Sequence, residues 1–194
     1  MSFQSPKAQE LPNLSATRFR EFLDFLMSSK VAPPSGISRP TYSDDSVLLE
    51  VEVAPPPGFP IGQCWYNCIE HSLNNAGQIV YGWLFWEVNH SYYVAQHHAV
   101  WRSENGVLID LTPNATGAKK VLFMPDDRAT FDLDDLRAAM SLEWTSNDQY
   151  DWVARQVVNF KVEEIRSKEF GIIRMEPDDS SLSNRIKRLQ SALS

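Results

Sequence analysis

Cysteine is nearly absent from this chain: only Cys64 and Cys68 occur among 194 residues. Two thiols cannot make a disulfide framework, and residues four apart on one helix are poorly oriented for a bond, so a reducing cytoplasm is the expected setting. Histidine is also scarce, at four residues. Basic charge is in deficit, with 18 Lys and Arg against 25 Asp and Glu and a formal net charge of −7. That balance argues against nucleic acid or an anionic membrane as the main partner. No apolar run is long enough to span a bilayer, and the opening Met1-Ser2-Phe3-Gln4-Ser5-Pro6-Lys7 lacks the apolar core of a signal peptide. Repeats and low-complexity tracts are missing too. What remains is ordinary for a soluble globular protein: 43% apolar and 22% charged residues, enough for one domain with a sizeable core.

Residues 1–12 read as a flexible N-terminal tail and residues 13–194 as a single catalytic-type domain. Phe19, Phe22, Leu23 and Leu26 recur at helical spacing and predict an amphipathic helix over residues 14–30. A Pro/Ser/Gly loop follows, and residues 46–53 predict a strand. Residues 79–88 and 92–102 predict a hairpin about Asn89-His90-Ser91, and residues 120–124 a further strand. Residues 132–142 read as a helix with acidic residues at its start. A second helix is expected over 147–167, with Tyr150, Val153, Val157 and Phe160 along one stripe. A short strand is expected over 171–175. Residues 180–193 read as a charged helix, lightly packed or used for contact with a partner.

The chemistry centres on Gly62-Gln63-Cys64-Trp65, followed by the pair His97-His98 and then Asp110. A thiolate is the nucleophilic form of cysteine, and an imidazole within reach can take its proton and later return it to a leaving amine. A carboxylate on the far side of the ring fixes its tautomer and stabilises the imidazolium. The Pro-rich stretch 55–60 cannot be helical, whereas residues 65–72 hold no Gly or Pro and predict a helix ending near Asn74-Asn75-Ala76-Gly77. Cys64 therefore falls at a helix N-terminus, where unpaired N–H groups and the helix dipole favour a thiolate.

Strand parity selects the histidine. Residues 92–102 and 107–111 read as strands joined by Glu104-Asn105-Gly106, a three-residue loop ending in a left-handed glycine. Ser103 then pairs with Val107, Val100 lies opposite Asp110, and His98 and Asp110 share a face as diagonal neighbours. His97 lies on the other, more apolar face with Ala99, Trp101, Val107, Ile109 and Leu111. A two-residue Asn105-Gly106 turn would reverse the parity and make His97 the base instead.

These segments resemble a known family. Gly62-Gln63-Cys64-Trp65 matches the Gly-Gln-Cys-Trp around the transglutaminase nucleophile. His98-Ala99-Val100-Trp101 resembles the His-x-Trp strand of those enzymes, with the tryptophan three positions after the histidine rather than two. Ile109-Asp110-Leu111-Thr112-Pro113 resembles their strand bearing the third residue. The resemblance spans about residues 58–115 and is to the transglutaminase-like branch of the papain-like cysteine enzymes. It implies Cys64 as nucleophile, His98 as base and Asp110 as orienting residue. The implied fold is α+β, an antiparallel sheet with the nucleophile-bearing helix packed on it and further peripheral helices.

Cysteine-dependent acyl transfer is the expected function, through a thioester on Cys64. The expected substrate is a protein or peptide, attacked at a peptide, isopeptide or glutamine side-chain amide. Hydrolysis is preferred over cross-linking, because nothing in the sequence identifies an amine-binding cleft. No cofactor is required. The Cys64 N–H is a natural oxyanion donor, Gln63 or Asn67 could supply a second, and Trp65 and Trp101 are candidate walls of a substrate groove. Two other readings use the same residues. One is a non-catalytic protein-binding module that keeps the fold. The other is a zinc-stabilised protein, with Cys64, Cys68 and His71 on one helical face and His97 or His98 completing the set.

Overall fold

The computed structural model describes residues 9–28, 48–88, 90, 92–126, 131, 133–134, 141–145, 160–166, 171–177 and 180–194. Strand β1 (Gln9–Glu10) precedes helix α1 (Thr17–Ser28), strand β2 (Leu49–Val53) and helix α2 (Cys64–Ser72). Strands β3 (Gly77–Val88), β4 (Tyr92–Ser103), β5 (Leu108–Asp110) and β6 (Lys120–Pro125) follow. The chain continues through β7 (Ser141–Thr145), β8 (Phe160–Arg166), β9 (Gly171–Pro177) and helix α3 (Ser180–Leu193).

The expected hairpin forms along its whole length: β3 and β4 pair antiparallel from Gly77–Ser103 to Val88–Tyr92. β4 turns into β5 through the three-residue loop, with Gly106 at φ +80° and the Ser103 N–H donating to the Val107 carbonyl. Trp101 faces Ile109, so the parity argued from the loop holds. β5 then lies parallel to β2, β2 pairs antiparallel with β6, and β6 returns antiparallel to β3.

That circuit closes β3, β6, β2, β5 and β4 into a five-stranded barrel. The mixed α and β content is as expected. The expectation of an antiparallel sheet needs one change: among the described residues the sheet contains one parallel pair, β2 with β5. The sheet continues beyond the barrel, from β4 through β7 and β9 to β8 and from β3 to β1. Gly82 makes the barrel's closure possible, since a Cβ there would collide with the Met124 carbonyl and the Phe123 ring on β6.

Alternation along the two long strands sorts their side chains (period 2) between two sides. Val80, Leu84, Trp86, Val94 and Val100 fill the barrel with Val51, Val121 and Phe123. Trp83, Phe85, Tyr93 and Ala95 face outward beneath α1, against Phe19, Phe22 and Leu23. Ala99, Trp101 and Leu111 lie beneath α2 and α3.

Four expectations need correcting. Gln9 and Glu10, placed in the tail, form β1 by pairing with Val88 and Glu87. Ser141 and Leu142, placed at the end of a helix, begin β7, and Leu133 and Asp134 of that stretch lie in a bend. Phe160 to Arg166 is strand β8, not the end of a helix, while Tyr150, Val153 and Val157 lie outside the described residues. Pairing with β9 decides that segment, a tertiary cause that local spacing does not carry. Lastly, α3 is no lightly attached helix: Leu182, Ile186 and Leu189 are buried in the core that holds Cys64. No described helix is long and apolar enough to cross a membrane.

Candidate active site

The loop before α2 delivers Cys64. Gly62 has φ +73°, a conformation that side chains resist, and the helix starts two residues later at Cys64. Gln63 takes the N-cap position without capping through its side chain. The N–H groups of Cys64, Trp65 and Tyr66 thus form the first turn, which has no acceptors within the helix. At the other end the Leu73 and Asn74 N–H groups close on Glu70 and His71, and the Asn75 side chain donates to the His71 carbonyl.

β4 delivers the histidine and β5 the carboxylate. His98 Nε2 lies 3.1 Å from Asp110 Oδ1, and both residues are buried, at 7% and 1% exposure. The ring N–H does not point along this line, so charge carries the contact more than a linear hydrogen bond does. The Thr112 N–H donates to the same Asp110 Oδ1 at 2.9 Å and fixes the carboxylate. The Cys64 thiol is the other group near enough to act on the His98 ring. Phe123 packs across that ring with centroids 6.4 Å apart.

Opposing influences act on the His98 ring. Burial disfavours its charged form most strongly, but the charges of Asp110 and Cys64 and hydrogen bonds to both favour it, and the net pKa lies well above the ordinary 6.5. Cys68, one turn beyond Cys64, is fully buried, and burial followed by the charges of Cys64 and Asp110 pushes its thiol well above 9.0. The two cysteines therefore differ in their surroundings. Cys68 packs in the core with Ile69 and Trp101.

A cavity of about 330 Å³ opens over this group. Cys64, His98 and Asp110 line it together with Trp65, Tyr66 and Gln96. Trp65 stacks on Phe131 at 4.5 Å and touches the His97 ring at 5.1 Å. His97 itself lies on the outer face, among Trp65, Tyr81 and Trp83.

The remaining candidates are placed elsewhere. Trp101 packs edge-on to His71 at 5.0 Å, beneath α2, and does not line the cavity over Cys64. Asn67 is fully buried and committed: its Nδ2 donates to the Pro60 carbonyl at 3.0 Å and to the Thr112 hydroxyl at 3.1 Å, and its Oδ1 accepts from Arg185 at 3.0 Å. Gln63 Oε1 also accepts from Arg185, at 2.6 Å. The Asn67 amide N–H groups are thus both committed, Gln63 lies off the cavity over Cys64, and both side chains brace the helix start. Among the described residues no three His, Cys, Asp or Glu side chains gather to hold a metal ion, which weighs against the zinc reading.

Three contributors escaped the sequence reading. Thr112 stands two residues after Asp110, the offset at which an Asp side chain accepts from the backbone, and that offset was a usable signal. Arg185 lies beside Leu182, Ile186 and Leu189, whose helical spacing marks a packed face. Tyr66 gave no signal beyond following Trp65.

Compared with protein-family models, curated proteins and solved structures, the chain matches none.

Proposed function

We propose that the chain is a cysteine-dependent acyl-transfer enzyme of transglutaminase-like type that hydrolyses amide bonds in a protein or peptide. One observation carries this reading: Cys64, His98 and Asp110 line one cavity, with His98 Nε2 3.1 Å from the Asp110 carboxylate and the ring close enough to the Cys64 thiol to feel its charge. His98 accepts the thiol proton and Asp110 stabilises the resulting imidazolium. The Cys64 sulfur attacks the carbonyl carbon, forming a C–S bond while the carbonyl electron pair moves to oxygen. Collapse of that intermediate breaks the C–N bond, and His98 returns the proton to the departing amine. Water, deprotonated by His98, then attacks the thioester and releases the acid and the thiol. With a glutamine side chain as substrate the same steps give deamidation. No step calls for a cofactor.

The test is site-resolved alkylation of native protein with iodoacetamide from about pH 5 to about pH 9, with Cys68 as internal control. Cys64 should label much faster than Cys68 at neutral pH, and His98→Ala should abolish the advantage. Equal, slow labelling of both thiols would remove the support for catalysis and favour a binding module.

A further inference from the structure

Three residues lining the cavity over Cys64 carry a buried polar atom without a hydrogen-bond partner: the Tyr66 hydroxyl, the Trp65 indole nitrogen and His98 Nε2, the last facing Asp110 across 3.1 Å. Tyr66 is 3% exposed and its ring is held edge-on to Phe131, centroids 5.5 Å apart. Burying a hydroxyl without a partner costs about 1–3 kcal/mol, and few native groups are left in that state. Phenylalanine would fill the same space without that cost, so the hydroxyl calls for a reason beyond packing.

The neighbourhood says what its partner is. Trp65 Nε1 can only donate, and the first-turn N–H groups of α2 can only donate. Burial, and then the charge of Cys64, push the ionisation of Tyr66 far up, so its hydroxyl keeps its proton and can donate as well. Donors on residues that share a cavity with the nucleophile suit an acceptor oxygen on the ligand. We propose that the Tyr66 hydroxyl, together with the Cys64 N–H, donates to the carbonyl oxygen of the bound acyl substrate and stabilises the oxyanion formed on attack. This rests on Cys64 being the nucleophile.

The step balances simply. The Cys64 sulfur forms a bond to the carbonyl carbon, the carbonyl electron pair moves to the oxygen facing Tyr66, and its return expels the leaving group. The Tyr66 proton stays on Tyr66. An oxyanion donor of this kind matters to attack on a carbonyl and not to displacement at a saturated carbon, which develops no such charge.

That difference supplies the experiment. Native protein and Tyr66→Phe are each treated with p-nitrophenyl acetate, following release of p-nitrophenolate and acetylation of Cys64 by mass spectrometry. In parallel, each is treated with iodoacetamide. Tyr66→Phe should acylate roughly a hundredfold more slowly. Its iodoacetamide labelling should stay within about twofold of the native rate, and its melting temperature should be no lower, because an unpaired hydroxyl has been removed. Equal acylation rates would overturn the role given to Tyr66 while leaving Cys64 as nucleophile. A parallel fall in both reactions, or a marked loss of melting temperature, would overturn it in favour of a packing role. Native protein that alkylates quickly but never acylates would sink the acyl-transfer reading itself, and the Tyr66 role with it.

Discussion

Asn67 on α2 donates its side-chain amide to the Thr112 hydroxyl at 3.1 Å, and the Thr112 N–H donates to Asp110 Oδ1, the oxygen facing His98. The helix bearing the thiol and the strand bearing the carboxylate are thus joined by one buried amide. Asn67 also holds the Pro60 carbonyl and receives Arg185, so its loss leaves several groups unpaired in the interior. Asn67→Ala should cost about 2–4 kcal/mol of folding stability, read from the urea midpoint at constant m-value. A loss under about 0.5 kcal/mol would show that water replaces the amide at no cost.

The His98 ring makes stability depend on pH with a definite sign. An unfolded histidine titrates near 6.5, whereas the folded ring, next to Asp110 and Cys64, holds its proton to well above that value. The folded state therefore binds the proton more tightly. The stabilisation is complete below about pH 6.5 and falls away as pH rises through the folded value. The melting temperature of native protein should decline on the alkaline side by an amount that His98→Gln removes. The same slope in both proteins would assign the decline to other groups.

The residues of the site were legible in the sequence to different depths. Loop length fixed the register between β4 and β5, because Gly106 ends a three-residue turn, and that register put His98 and Asp110 on one face. The start of α2 was legible from the proline stretch before it and the Gly-Gln-Cys run. Closure of the sheet was not legible, since the β2–β5 and β3–β6 pairings join segments far apart in sequence. Gly82 is the trace it leaves, a lone glycine inside a strand where β6 crosses closely. Asn67 illustrates the limit of face arguments: one turn from Cys64, it looks like an oxyanion donor until the fold brings Arg185 and Thr112 to it.

Two arginines three positions apart on α3 share Glu70 but differ in everything else. Arg185 is 11% exposed and spreads its fork over Gln63 Oε1, Asn67 Oδ1 and Glu70 Oε2. Arg188 is 65% exposed and, among the described residues, reaches only Glu70 Oε1, at 2.8 Å. An exposed pair of that kind contributes about 0–1 kcal/mol, so Arg188→Ala should change stability little. Arg185→Ala strands the Gln63 and Asn67 oxygens and the half-buried Glu70 carboxylate, and should cost about 2–4 kcal/mol. Arg185→Lys should recover only part of the loss, because a single ammonium cannot reproduce three directions from one planar fork. Denaturant midpoints of the three variants decide the matter. Equal losses from Arg185→Ala and Arg188→Ala would mean that Glu70 alone carries the attachment of α3, and that the bonds to Gln63 and Asn67 add nothing.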